Sequence, residues 1–186
     1  MKCSVYIATS VDGYIAKMDD SVDWLHAVGD LKADMGDDQD MGFNRFIRSV
    51  DCMIMGRKCM EVISNMNIPP EQWPYGNIRI VVLSHSIQTP PDNLHGKVEM
   101  YAGDIQQLVK QLTSEGIKHA YIDGGTTITA FLNLKLIDEM IITKAPILLG
   151  EGIPLFGKIN HMIQLEKASA CAFPNDFIQI KYKVSY

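Results

Sequence analysis

The chain has 186 residues, 47% hydrophobic and 21% charged, with a formal net charge of −5. That length suits one well-buried domain over 1–186 and is short for two. A mean hydropathy of +0.01, with no run near the roughly 20 apolar residues of a membrane helix, excludes a disordered chain and a membrane-spanning one. The 17 basic residues form no dense stripe, so nucleic acid is not expected as a partner.

Met1-Lys2 leads into an alternating strand over 2–9, around Val5 and Ile7. It lacks the apolar run and cleavage site of a signal peptide, which predicts a cytoplasmic protein. A long loop runs through 37. Its acidic stretch, Asp34, Asp37, Asp38 and Asp40, reads as a solvated entry to a helix near 40–49, although acidic loops also border substrate pockets. A strand over 51–56 and a helix over 57–65 follow, then a Pro/Trp-rich loop over 66–77. Strands at 78–83 and near 97–101 precede a helix over 104–115, N-capped by Asp104, with Ile105, Leu108, Val109 and Leu112 on one face. The spacing then predicts a strand over 118–123, a helix over 126–133 and a strand over 136–143. Two long strands near 161–172 and 176–185, separated by Pro174-Asn175, read as an antiparallel hairpin. Alternating strands and helices imply a mainly parallel sheet covered on both faces. The loops 10–37 and 66–77 are long enough to serve as lids or substrate loops. Cys3, Cys52, Cys59 and Cys171 form no C-x-x-C pair and are expected to be reduced, buried thiols. No zinc site is visible.

Two junctions carry chemistry. Asp51-Cys52-Met53-Ile54-Met55-Gly56 runs into Arg57-Lys58, and Tyr121-Ile122-Asp123 runs into Gly124-Gly125-Thr126-Thr127. Each is an apolar strand that breaks at glycine and restarts as a helix. Glycine lets a phosphate approach the backbone, and the first amides of the helix point unsatisfied hydrogens at it. Glycine also simply makes room in strand-to-helix turns. Two junctions, one of them carrying the adjacent cations Arg57 and Lys58, leave both readings open, the functional one being a ligand with two phosphates. The G-x-G-x-x-G, P-loop, H-E-x-x-H and G-x-S-x-G patterns are missing.

Four segments in order resemble the dihydrofolate-reductase-like superfamily, and within it the RibD C-terminal family of riboflavin biosynthesis reductases. They are Ala8-Thr9-Ser10-Val11-Asp12-Gly13-Tyr14-Ile15-Ala16, similar to an S-x-D-G-x-I-A turn; Asp51 to Lys58, similar to D-x-x-x-x-G-R-K-T; Val82-Leu83-Ser84-His85-Ser86, in the place of V-L-S-R; and Asp123-Gly124-Gly125 continued through Leu132, Asp138-Glu139, Ala145 to Gly150 and Gly152 to Phe156. The resemblance implies a three-layer α/β/α dihydrofolate reductase-like fold, a mostly parallel mixed sheet closed by the C-terminal hairpin, and a stand-alone reductase using NADPH. By position, Gly56, Arg57 and Lys58 would hold the cofactor phosphates from one side, and Gly124, Gly125, Thr126 and Thr127 the pyrophosphate from the other. Ala8 and Ile15 would lie against the nicotinamide. Cys59 replaces a common threonine, which weakens one phosphate contact. His85 replaces an arginine that meets the adenosine 2′-phosphate, so NADH is not excluded, with Ser84 and Arg57 as further contacts.

The implied reaction moves hydride to the ribosyl C1′ of a phosphoribosylamino-pyrimidine and needs a proton donor as the sugar opens. The candidates are Asp12 and Asp23. Trp24, in Asp23-Trp24-Leu25, would wall the substrate pocket. Pterin or folate reduction is an alternative, in which Asp38 or Asp40 would bind the ring. A further alternative is a non-catalytic nucleotide-binding relative. Relatives of this kind imply a homodimer, with an interface at Ile147-Leu148-Leu149 or the last hairpin.

Overall fold

A computed structural model describes residues 1–186. The strands are β1 (Lys2–Thr9), β2 (Tyr14–Ala16), β3 (Cys52–Gly56), β4 (Arg79–Leu83), β5 (Glu99–Tyr101), β6 (His119–Asp123), β7 (Glu139–Lys144), β8 (Ile153–Pro154), β9 (Gln164–Ala172) and β10 (Ile178–Ser185). The helices are α1 (Phe43–Ile47), α2 (Arg57–Asn65), α3 (Ile105–Ser114) and α4 (Gly125–Asn133). Eight strands form one sheet in the order β5-β4-β3-β6-β1-β7-β10-β9. The first six run parallel, and β10 and β9 close the sheet antiparallel.

Alternation along the strands divides the interior in two. Cys52 and Ile54 of β3, Val81 of β4 and Ile122 of β6 point to the face covered by α3 and α4, where they meet Leu108, Leu112, Ile128 and Phe131. Met53 and Met55, Ile80 and Val82, and Tyr121 point to the opposite face and pack with Phe46, Ile47, Met60 and Ile63 of α1 and α2. Strands buried on both faces read as continuous apolar runs, which is why β3 and β4 are plain in the sequence. At the N-terminal end, the Asp51 carboxylate accepts from the amides of Lys118 and His119 and ties the start of β3 to that of β6.

Several expectations are corrected. β2 and β8 pair as a second, two-stranded sheet inside segments read as loop, because strands of three and two residues carry no periodicity. The loop 10–37 also holds two 3-10 turns, Asp23–His26 and Gly36–Asp38. β7 begins at Glu139 rather than 136, because Lys135 adopts φ 58° in the turn after α4. Cys171 is exposed and Cys59 only half-buried, since β9 lies at the open edge of the sheet.

Ile122 is fully buried on the central strand. Ile122→Ala should destabilise the fold by about 2–5 kcal/mol, read as a lower urea midpoint with unchanged slope.

Candidate active site

β3 continues through α2 to β4 on one side, whereas β6 continues through α4 past β1 to β7 on the other. The two helices leave on opposite faces of the sheet. The carboxyl ends of β3 and β6, adjacent in register at Met55 and Asp123, therefore form the kind of switch point at which open α/β sheets bind ligands. Both glycine junctions fall there. They touch: a β-carbon on Gly56 would lie 3.0 Å from Thr127 Oγ1. Gly124 adopts φ 89°, and a β-carbon there would collide with Cys59 Sγ. Gly125 is packed under Pro154, Leu155 and Ile15, so β8 and β2 press on the start of α4. This brings Ile15 to the second junction.

No side chain caps α2 or α4. By contrast, Asp104 Oδ1 accepts from Gln107 N at the start of α3, and Asp40 accepts from Gly42 N at 3.0 Å and Asn44 N at 2.7 Å at the start of α1. The two helices that converge on the switch point are thus the two whose first-turn amides have no acidic side chain, and the paired dipole ends favour an anion. Thr126 is exposed on this first turn, while Thr127 is buried against Gly56. The hydroxyl of Thr9, buried at the end of β1, has no partner in the protein.

The cations already have partners. Arg57 Nη1 donates to Glu61 Oε1 at 3.0 Å, and Lys58 Nζ to Asp20 Oδ2 at 2.6 Å. Arg57 also lines a cavity of about 310 Å³ with Leu83, Ser84, His85, Tyr101 and Ile105. Ser84 is buried, its Oγ accepting from Ile87 N, and His85 is exposed on the rim. Tyr101 was not singled out from sequence, because it ends a three-residue strand with no motif of its own. A diphosphate on the two helix ends with a nucleoside in this cavity fits these residues.

Asp123 was noted in the sequence only as part of a motif. In the structure its carboxyl lies among Cys59, Tyr75 and Tyr121, on the face of α1 and α2. Burial pushes it above the ordinary carboxylate range, although hydrogen bonds from Cys59, Tyr121 and the Gly124 amide oppose the shift. Tyr121 Oη lies 3.3 Å from Asp123 Oδ1. Burial and the Asp123 charge push Cys59, Tyr75 and Tyr121 up in turn. Asp123 retains some accessible surface. An acid directly before two glycines at the end of an apolar strand is the signal that could have marked it.

The other expected residues are spread more widely. Ala8 is half-buried on β1. Asp12 is exposed; Ser10 and the amides of Gly150 and Leu149 hold its carboxyl below the usual range, so it pins the loop before β8. Asp23 is exposed and held low by Lys17. Trp24, expected on a pocket wall, is sealed with Ala145, Phe173 and Phe177, which gives its ring packing work. Burial raises Asp40, but the Asn44 and Gly42 amides outweigh it and hold the group low, so both oxygens serve the entry to α1.

Comparison with known proteins agrees with this architecture. The model of the RibD C-terminal domain matches residues 2–179. The Bacillus subtilis (strain 168) protein YwjB, itself uncharacterized, is 30% identical over 183 residues, 97% of each chain. A Shewanella sp. PV-4 protein provisionally assigned to riboflavin biosynthesis superposes with a TM-score of 0.88 at 34% identity, covering 100% of both chains. Rib7, the riboflavin biosynthesis reductase of Saccharomyces cerevisiae, superposes with a TM-score of 0.67 at 12% identity, covering 99% of this chain and 90% of that one, and shares the fold. With this dihydrofolate reductase-like sheet and a family match over almost its whole length, the chain belongs to the RibD C-terminal domain family.

Proposed function

We propose that the chain is an NADPH-dependent reductase of the RibD type. It would act on a pyrimidine-ribose such as 5-amino-6-(5-phosphoribosylamino)uracil. The observation that carries this reading is the contact of two uncapped, glycine-led helix starts at the switch point, Gly56 against Thr127. The family and the Rib7-like fold support it.

A reduced nicotinamide supplies a hydride when bound. The first-turn amides of α2 and α4 bind the diphosphate, with Arg57 exchanging Glu61 for a phosphate oxygen. The cavity beside Ser84, His85 and Tyr101 takes the nucleoside end, and Ala8 and Ile15 provide an apolar wall. Reduction at C1′ would open the sugar ring, whose oxygen would then need a proton. Asp123 is suited to give it: its raised carboxyl stays protonated to higher pH than Asp12 or Asp23, which are held low. Hydrogen bonds from Tyr121 and Cys59 then steady the carboxylate left behind. The pterin alternative wants a free carboxylate at α1, and both Asp40 oxygens are occupied by backbone amides.

Titration with NADPH, followed by Trp73 fluorescence and by calorimetry, should show saturable binding, with NADH weaker; absence of binding by either cofactor would remove the reductase reading. Asp20→Asn frees Lys58 from a surface ion pair and should tighten NADPH binding by up to about 5-fold, an effect that disappears at high salt. Only protonated Asp123 donates, so kcat should decline as pH rises through its raised pKa. Asp123→Asn should cost about 100-fold in kcat and abolish that limb while leaving cofactor affinity nearly unchanged. Ionising a carboxyl whose folded pKa is raised costs stability above its ordinary value of 3.8. The same variant should therefore gain stability over wild type as pH rises, a readout independent of turnover.

A further inference from the structure

Trp73 and Tyr75 lie in the segment between α2 and β4. From Ile68 to Ile78 its backbone hydrogen bonds are local, Gln72 N to Pro69 O, Trp73 N to Pro70 O and Ile78 N to Tyr75 O. Aromatic edges hold the segment down instead. Trp73 meets Tyr75 edge-on with centroids 5.2 Å apart, and Lys97 Nζ sits 4.4 Å from the Trp73 centroid. Tyr75 in turn meets Phe43 of α1 at 6.4 Å and 77°, and Phe43 meets Tyr6 of β1 at 5.6 Å. Trp73, Tyr75 and Phe43 are each half-buried at the margin of the core beneath α1 and α2.

Burial, and then the nearby charges of Asp123 and Cys59, push the Tyr75 phenol up. Of the three groups around the Asp123 carboxyl, Cys59 is hydrogen-bonded to it and Tyr121 donates to Tyr6 O at 2.9 Å. Tyr75 is uncommitted. No protein group bonds its oxygen, and that oxygen is not one of the sealed, unpartnered atoms, which are Thr9 Oγ1, Trp24 Nε1 and His161 Nε2. It therefore keeps an open side next to the proposed proton donor. We infer that Phe43 and Tyr75 form the slot for the pyrimidine ring of the substrate, Phe43 stacking on its face and the Tyr75 phenol donating to one of its carbonyl oxygens.

Two features set the chemistry of the occupant. A phenol held in its protonated form donates a hydrogen bond, so the group it meets is an acceptor. Two rings meeting near a right angle offer a planar ligand one stacking surface and one wall, and Phe43, Trp73 and Tyr75 carry no charge. A pyrimidine with exocyclic carbonyls supplies both the flat face and the acceptor. Trp24 and Asp40, the residues expected from sequence to hold a ring, are occupied by the closing hairpin and by backbone amides. The inference rests on the reductase reading for the identity of the substrate and adds the residues that orient it: once Tyr75 fixes the base, the sugar attached to that base is directed toward Asp123.

Calorimetric titration of the full chain with 5,6-diaminouracil should show saturable binding, weakened about 5-fold by Tyr75→Phe, which keeps the ring packing and removes only the donor. Phe43→Leu keeps the apolar volume and should cost about 10-fold through lost stacking. The same ring without carbonyls, 4,5-diaminopyrimidine, should bind wild type and Tyr75→Phe alike. In turnover, both variants should raise the substrate KM by similar factors with kcat changed less than about 2-fold. NADPH affinity and the falling pH limb assigned to Asp123 should be retained. Because 5,6-diaminouracil is titrated without cofactor, a failure of NADPH and NADH to bind removes the reductase reading and leaves this comparison readable. No binding of 5,6-diaminouracil by wild type, equal affinity of wild type and Tyr75→Phe for it, or a KM unmoved by both substitutions would overturn the inference.

Discussion

The contact between Gly56 and Thr127 is the constraint on which the rest of the site depends. It exists because β3 and β6 are neighbours in register while their helices depart on opposite faces. A side chain at 56 would begin to wedge the two helix starts apart. Leaving them together concentrates two sets of unsatisfied amides and two positive dipole ends on one crevice. The bound groups that the crevice favours are anions.

That arrangement explains why the surrounding charges are arranged as they are. Arg57 and Lys58 stand at the first turn of α2, where cations are disfavoured by the helix dipole, and each is answered by a carboxylate, Glu61 or Asp20. Asp12, Asp40 and Asp51 are satisfied by backbone amides and stay charged. Asp123 stands apart: it lies in the crevice where burial resists its ionisation. One strand end thus places uncapped helix amides beside a carboxyl whose ionisation burial opposes.

How much of this was legible in the sequence follows from the range of each signal. The runs Cys52–Gly56 and Arg79–Leu83 announce interior parallel strands because both faces are buried, and Asp104 announces α3 because capping is local. The glycine junctions were also readable. Their adjacency was not, since it depends on β6 inserting between β1 and β3 from far along the chain. Nor were β2 and β8, whose pairing joins residue 14 to residue 154. Asp123 was visible as a letter, but its raised pKa comes from burial that only the fold provides, against the opposing hydrogen bonds from Cys59 and Tyr121. Trp24 misled for the opposite reason: a tryptophan in a long loop looks available, and Phe173 and Phe177 on the closing hairpin enclose it.

The closing hairpin links these observations. Its turn residues cover Trp24, Gln179 at the start of β10 bonds Tyr6, Met41 and Thr143, and Tyr6 in turn donates to Met41. The segment leading into α1 is thereby fixed to the face of the sheet that carries Asp123. Lys181 from the same strand pairs with Glu139 at the start of β7, as does Lys2 at the start of β1, which ties the polar side of the hairpin to the N-terminal ends of these strands. Its apolar side has no comparable tether within the chain. The burial of Trp24, the anchoring of the entry to α1 and the ion pairs at Glu139 are in this way consequences of one hairpin.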